Sequence, residues 1–147
     1  MKKNWFVLIA ISVLLVIFGS MTMACGESID AWTAKDAQKA YESAGYQVKL
    51  VDTTETPIRG IPSTAIAVLE GVVKDETETV DSEEDENYKE QIGIVFFSNE
   101  ADAKAFLESD SFKTTVAYNK EREIEILHGQ KGNYVYIGTP NALLLLK

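Results

Sequence analysis

The hydrophobic pattern changes its period several times along the chain, which indicates a mixture of helices and strands. Residues 34–44 carry alanines and a tyrosine at helical spacing. Thr33 and Asp36 form a capping-box pair at the start of this helix, and Gly45 suits its carboxyl-terminal end. Residues 46–50 then alternate apolar and polar side chains, as in a half-buried strand.

Two longer apolar runs predict the central strands. Residues 64–73 are apolar on both alternating sets, which fits a central strand, although periodicity alone leaves a helix open. Residues 92–97 predict the next strand, and one of the polar pair 98–99 caps a helix over 100–109. The pattern of 112–118 is ambiguous.

The last part of the chain predicts a hairpin followed by a short helix. Residues 121–127 alternate, 128–133 form a turn rich in Gly and Asn, and 134–137 return as a strand. Thr139 caps a final helix over 142–146, with a proline at the first helical position.

This order of elements predicts an α+β fold. Consecutive strands without helical crossovers favour one antiparallel sheet of four to five strands, with two or three helices packed on one face. Residues 31–147 would form a single domain with an acidic loop at 75–90. Within that loop, eight of the twelve residues 75–86 are acidic and none is basic, so self-repulsion favours a solvated segment.

The amino terminus has the layout of an export signal. Two lysines precede the apolar run 5–18, and Ala24 precedes Cys25. This arrangement resembles the bacterial lipoprotein signal, which implies that residues 1–24 are removed and that Cys25 is acylated. Residues 25–30 would then be a tether of at most about 20 Å. Plain secretory cleavage after Ala24 and an uncleaved membrane anchor remain alternatives.

Two segments of the domain also resemble small lipoproteins of Gram-positive bacteria. They are Ile-Val-Phe-Phe-Ser-Asn-Glu-Ala-Asp-Ala-Lys-Ala-Phe (94–106) and Gly-Asn-Tyr-Val-Tyr-Ile-Gly-Thr (132–139). The resemblance covers about half of the chain after Cys25. It implies a strand, a helix and a closing hairpin, and it supplies no catalytic residues.

Composition excludes several classes of protein. The 147 residues include 23 acidic and 14 basic side chains, for a net charge of −9, which argues against nucleic-acid binding. One cysteine cannot form an internal disulfide or a cysteine-rich zinc site. Because no phosphate-binding loop, nucleophile elbow or zinc-protease motif occurs, we expect no enzymatic activity, no cofactor and no metal.

Three features remain as candidate sites, each with a simpler structural explanation. The acidic run could bind Ca²⁺ weakly, but it lacks EF-hand spacing. His128 begins the predicted turn, where a lone histidine is usually solvated or packed at a strand end. Strand tyrosines usually pack on the sheet face. The aromatic side chains that might otherwise line a ligand groove are Trp32, Tyr46, Tyr134 and Tyr136.

Three functional hypotheses follow. The first is a membrane-anchored extracytoplasmic lipoprotein that acts as a non-enzymatic binding or interaction module and contacts the lipid bilayer through acylated Cys25. The second is an acidic inhibitor or immunity-type lipoprotein that blocks a basic secreted enzyme or toxin. The third is an envelope hydrolase, which requires two carboxylic acids converging in a cleft. In the second hypothesis, the cationic partner would be bound through Glu83, Glu84, Asp85 and Glu86.

Overall fold

The computed structural model describes residues 32–74, 88–120 and 125–147. Within these ranges the chain forms one antiparallel sheet of five strands in the order β1-β2-β3-β5-β4. The strands are β1 (Gln47–Asp52), β2 (Ala65–Lys74), β3 (Tyr88–Phe97), β4 (Leu127–Lys131) and β5 (Tyr134–Gly138). The helices are α1 (Ala34–Ser43), α2 (Glu100–Glu108), α3 (Asp110–Lys120) and α4 (Pro140–Leu143).

The predicted α+β fold with one antiparallel sheet is confirmed, but the helices of the described ranges number four and cover both faces of the sheet. Helices α2 and α3 lie on one face, and α1 and α4 lie on the other. The physical reason lies in β2 and β3, whose alternating side chains are apolar in both directions. Both faces of these central strands therefore need a covering layer to exclude water.

The sheet separates two hydrophobic clusters. In the first core, Phe106 of α2 contacts Phe97 and Phe112, with ring centroids 5.6 and 5.4 Å apart. The buried residues of the first core are Val51, Ile58, Ala65, Val68, Val95, Phe97, Ala103, Phe106, Phe112 and Val135. Those of the second core are Ala37, Tyr41, Tyr46, Leu69, Ile92, Ile94, Phe96, Tyr134 and Ala142.

Helix α1 begins with the predicted capping box. The Asp36 backbone N–H donates to Thr33 Oγ1 at 3.2 Å, and the Thr33 backbone N–H donates to Asp36 Oδ2 at 3.1 Å. The Thr33 hydroxyl, which donates to Asp36 Oδ2 at 2.7 Å, and the Thr33 backbone N–H lower the pKa of Asp36, because both favour its ionised form. Gly45, at a φ of +90°, takes the left-handed conformation that ends the helix.

The ambiguous range 112–118 lies in helix α3, directly after α2. Asn99 caps α2, since its side chain accepts from the Asp102 backbone N–H at 2.9 Å. Ser109 then breaks the helix with an extended backbone. Its Oγ donates to the Phe106 carbonyl at 2.7 Å and accepts from the Phe112 N–H at 3.2 Å. One side chain thus ends α2 and starts α3.

The hairpin is confirmed, but the predicted extent of its turn is wrong. Strand β4 covers Leu127–Lys131, and the turn shrinks to Gly132 and Asn133. Polar residues are tolerated in β4 because it is an edge strand. Gly129 lies opposite Tyr136, and a Cβ at Gly129 would come within 2.6 Å of the Tyr136 hydroxyl.

Two further boundaries differ from the predictions. Strand β3 begins at Tyr88, so the last three residues of the predicted loop 75–90 belong to the sheet. The final helix α4 begins at Pro140 as predicted but ends at Leu143 and not at 146, and the Thr139 hydroxyl makes no capping hydrogen bond within the helix. It accepts instead from the Gln91 backbone N–H at 3.2 Å, which ties α4 to β3.

Candidate functional site

A pocket of about 190 Å³ lies on the sheet face that α2 and α3 cover. It opens where the carboxyl-terminal half of α3 passes over strands β1, β2, β3 and β5. Its walls are largely apolar, with Val72 of β2, Ile137 of β5 and Ile126 before β4 among them. We name it the Glu70 pocket, because one acidic side chain lies within it.

Strand alternation directs Glu70 into this pocket. Val68, two residues earlier in β2, belongs to the first core, and Val72, two residues later, lines the pocket. Glu70 therefore projects from the same face. It is only 7% exposed, and neither carboxyl oxygen has a hydrogen-bond partner among the described residues.

Two buried amides line the same pocket. Gln91 of β3 is 6% exposed, and its Nε2 has no hydrogen-bond partner within the described ranges. Asn119 of α3 is 4% exposed. Its Nδ2 donates to the Thr115 carbonyl one helical turn earlier at 2.9 Å, which leaves Oδ1 unpartnered among the residues described. Three buried polar side chains thus surround one space.

Gly93 creates much of that space. It is the Cα partner of Glu70 in the β2–β3 register, so the position directly across from the carboxyl has no side chain. A Cβ at Gly93 would have Ile137 Cγ2 as its nearest neighbour, at an ordinary contact distance of 3.5 Å. Gly93 does not have a positive φ, so the backbone there does not require glycine.

Burial raises the pKa of Glu70 from its ordinary 4.5 to about 8. Lys49, its cross-strand partner on β1, lowers this pKa by favouring the carboxylate, but the cost of desolvation is larger. The carboxyl is therefore mostly protonated at neutral pH. In that form it donates through its O–H and accepts through its C=O.

This arrangement suits the binding of a small polar molecule. A general acid alone does not make a hydrolase of the paired-carboxylate type, which needs a second acid. Glu70 is the one carboxylic acid among the described residues that line the pocket. The hydrolase hypothesis therefore gains no support from this geometry.

Several residues predicted to be functional lie outside the described ranges. They include Cys25, and its acylation stays a prediction. The same holds for the proposed partner-binding acids Glu83, Glu84, Asp85 and Glu86.

His128 lies within strand β4 and not in a turn, and its ring packs against Phe112 with centroids 5.7 Å apart. Within residues 32–74, 88–120 and 125–147, no group of three or more His, Cys, Asp or Glu side chains is placed to hold a metal ion. No helix in this part of the chain is both long enough and apolar enough to cross a membrane.

The four aromatic candidates do not form one groove. Trp32 packs against Tyr134 at 5.4 Å, and Tyr136 lies 6.5 Å from Tyr134. Tyr46 packs instead against Tyr41 of α1, with centroids 5.1 Å apart. Tyr134 and Tyr46 are buried in the second core, so their main contribution is packing.

The Glu70 pocket was not predicted from the sequence, although one signal pointed to it. Glu70 is the only charged residue in the apolar run 64–73. A charged side chain in the middle of a strand that is buried on both faces must lose its charge, pair with an opposite charge or have a functional role. Gln91 and Asn119 carry no comparable signal, because polar residues at strand starts and helix ends are ordinary.

Comparisons with protein-family models, with curated proteins and with solved structures returned no match.

Proposed function

We propose that this protein is a membrane-anchored extracytoplasmic lipoprotein that acts as a non-enzymatic binding module, and that its ligand is a small molecule held in the Glu70 pocket. The observation that carries the proposal is the convergence of Glu70, Gln91 and Asn119 on one apolar space. All three are at least nine-tenths buried, and each presents polar atoms without a partner in the described structure.

Polar groups that are buried without hydrogen bonds lower the stability of the folded state. A buried polar group without a hydrogen bond costs about 1–3 kcal/mol. Native proteins rarely leave such groups without a partner from the protein, from water or from a ligand. A ligand that hydrogen-bonds to them would recover this cost on binding.

The membrane anchor is supported by the sequence alone. Cys25 follows the apolar run and Ala24, and the domain begins a few residues later at Thr33. Acylation would therefore hold the domain close to the outer surface of the cytoplasmic membrane. Incorporation of a labelled fatty acid in the wild type but not in Cys25→Ala would support this part. Equal labelling of both, or of neither, would contradict it.

The proposal that the Glu70 pocket binds a small molecule can be tested with a variant that changes the shape of the pocket and leaves its three polar side chains in place. Gly93→Ala adds a methyl group to a residue that lines the pocket, and it does so without a clash. Fragment binding to the full chain in detergent can be measured by NMR for the wild type and for this variant. We expect fragments whose affinity falls about tenfold in Gly93→Ala.

The matched control is Glu108→Gln, which removes an acid from the exposed surface of α2. It should leave the affinity of these fragments unchanged. If no fragment distinguishes the wild type from Gly93→Ala, the Glu70 pocket is not a binding site.

A further inference from the structure

The unpartnered atoms of the Glu70 pocket are balanced between donors and acceptors. Protonated Glu70 offers one O–H donor and one C=O acceptor. Gln91 Nε2 adds a donor, and Asn119 Oδ1 adds an acceptor. With Glu70 neutral, these three side chains present two donors and two acceptors and carry no net charge.

The charge already present in the pocket argues against a cationic ligand. Lys49 lines the pocket and is the direct cross-strand partner of Glu70. A second cation next to the carboxyl would be repelled by the Lys49 ammonium group. The net charge of −9 on the whole chain likewise disfavours the binding of an anionic ligand.

The size of the pocket limits the ligand to about one ring. A dry protein cavity of about 150 Å³ is large enough for benzene. At about 190 Å³, the Glu70 pocket takes a six-membered ring with a polar edge. Val72, Ile126 and Ile137 supply apolar walls for the remainder of such a ring.

Resting on the proposed binding function, we propose that the ligand of the Glu70 pocket is a small uncharged compound of the amide class, in which an N–H donor and a C=O acceptor lie side by side. The structure supports this class because a carboxyl group and a cis-amide complement each other through two hydrogen bonds. Gln91 and Asn119 then offer one more donor and one more acceptor at the same polar edge.

The register places these groups on two sides of one space. Glu70 is paired with Gly93, and Gln91 lies two residues before Gly93 on the same face of β3. Glu70 and Gln91 are therefore diagonal neighbours, with Cα atoms about 7–8 Å apart. Asn119 approaches from helix α3 above the sheet.

Three six-membered rings of nearly equal size test the ligand class. 2-Piperidone carries an adjacent donor and acceptor, cyclohexanone carries an acceptor only, and piperidinium is a cation. Binding to the full chain in detergent can be followed by NMR titration at pH 7. We expect 2-piperidone to bind about tenfold more tightly than cyclohexanone, because cyclohexanone leaves buried groups unpaired, and more tightly than piperidinium.

Two substitutions separate the hydrogen-bonding role of Glu70 from its charge. Glu70→Gln keeps one donor group and one acceptor, so the affinity for 2-piperidone should stay within about threefold of the wild type. Glu70→Leu removes both, so the preference for 2-piperidone over cyclohexanone should disappear. If Glu70→Gln abolishes 2-piperidone binding, an uncharged carboxyl is not the recognised group, and the proposal is wrong.

The pH dependence adds a second readout. Lys49 is the charged group that faces Glu70 from β1, and the described pocket residues on β3, β5 and α3 carry no titratable side chain. Ionisation of Glu70 above about pH 8 removes its donor. The affinity of the wild type for 2-piperidone should then fall between pH 7 and pH 9, whereas that of Glu70→Gln should not.

The outcomes distinguish the two proposals. If piperidinium or cyclohexanone binds as tightly as 2-piperidone and Gly93→Ala still weakens that binding, the amide class is wrong and the binding pocket stands. If none of the three rings binds, and fragment binding does not respond to Gly93→Ala either, both the amide class and the binding function are wrong.

Discussion

Glu70 on β2 and Gly93 on β3 are Cα partners in the antiparallel ladder, so a buried carboxyl faces a position that has no side chain. A central antiparallel pair normally fills such a position with a packed side chain. The open space beside Glu70 thus lies at a position that has no side chain.

The stability of the protein should depend on pH through Glu70. The folded state keeps the Glu70 proton up to about pH 8, whereas the unfolded chain releases it near the ordinary pKa of 4.5. The folded state thus binds more protons between these values, and the Glu70 contribution to the free energy of unfolding falls as the pH rises, by about 1.4 kcal/mol per pH unit. The amide side chain in Glu70→Gln does not titrate. The stability of this variant relative to the wild type should therefore increase from pH 4.5 to about pH 8.

Urea unfolding of the wild type and of Glu70→Gln at several pH values between 4.5 and 9 checks this prediction. The difference in the free energy of unfolding between Glu70→Gln and the wild type should grow by a few kcal/mol and level off above about pH 8. Glu108→Gln on the exposed surface of α2 is the control, and its difference from the wild type should stay flat. A flat difference for Glu70→Gln as well would mean that Glu70 is ionised in the folded protein at neutral pH.

Two glycine substitutions should have opposite effects on stability. At Gly93 a Cβ meets Ile137 Cγ2 at 3.5 Å, so Gly93→Ala should be neutral or stabilise the fold by about 0.4–1 kcal/mol. At Gly138 a Cβ would come within 2.7 Å of the Gln91 carbonyl oxygen, so Gly138→Ala should destabilise it by about 1–3 kcal/mol. Thermal unfolding of both variants provides the comparison. A marked loss of stability in Gly93→Ala would show that the space beside Glu70 is already filled.

The capping box of α1 predicts a difference between two substitutions of Thr33. Thr33→Ala removes the oxygen that accepts from the Asp36 backbone N–H, and it should cost about 1 kcal/mol. Thr33→Ser keeps that oxygen and should remain close to the wild type. Chemical denaturation followed by circular dichroism measures both. Equal losses would mean that the threonine methyl group, and not the cap, stabilises this helix end.

The Tyr41 hydroxyl links α1 to α4. It donates to the Ala142 carbonyl at 2.8 Å, and both residues are fully buried. Tyr41→Phe removes this hydrogen bond and leaves the carbonyl a longer one from the Leu145 backbone N–H at 3.4 Å, so it should cost about 1 kcal/mol. The comparison is Tyr134→Phe, which removes a hydrogen bond to the carbonyl of the exposed Lys147 and should cost less, since water can replace it. A larger loss for Tyr134→Phe in urea unfolding would contradict this ranking.

The elements with strong local signals were predicted well. The Thr33 and Asp36 cap, the asparagine cap of α2 and the two-sided run of β2 depend on neighbours within a few residues, so the sequence carries them directly. The predicted hairpin turn is too wide because the local sequence around Gly129 is typical of a turn. In the structure that glycine leaves room for the ring of Tyr136, a residue seven positions along the chain.

The sequence by itself determined the order of the elements apart from α3, the antiparallel α+β class and the buried character of β2, because each follows from local periodicity and capping. Only the tertiary structure decided that helices cover both faces, and only it brought Glu70, Gln91 and Asn119 around one pocket. These side chains are 21 to 49 positions apart along the chain, and their meeting depends on strand register and on where α3 packs. Those relationships arise from long-range packing, which no local pattern encodes.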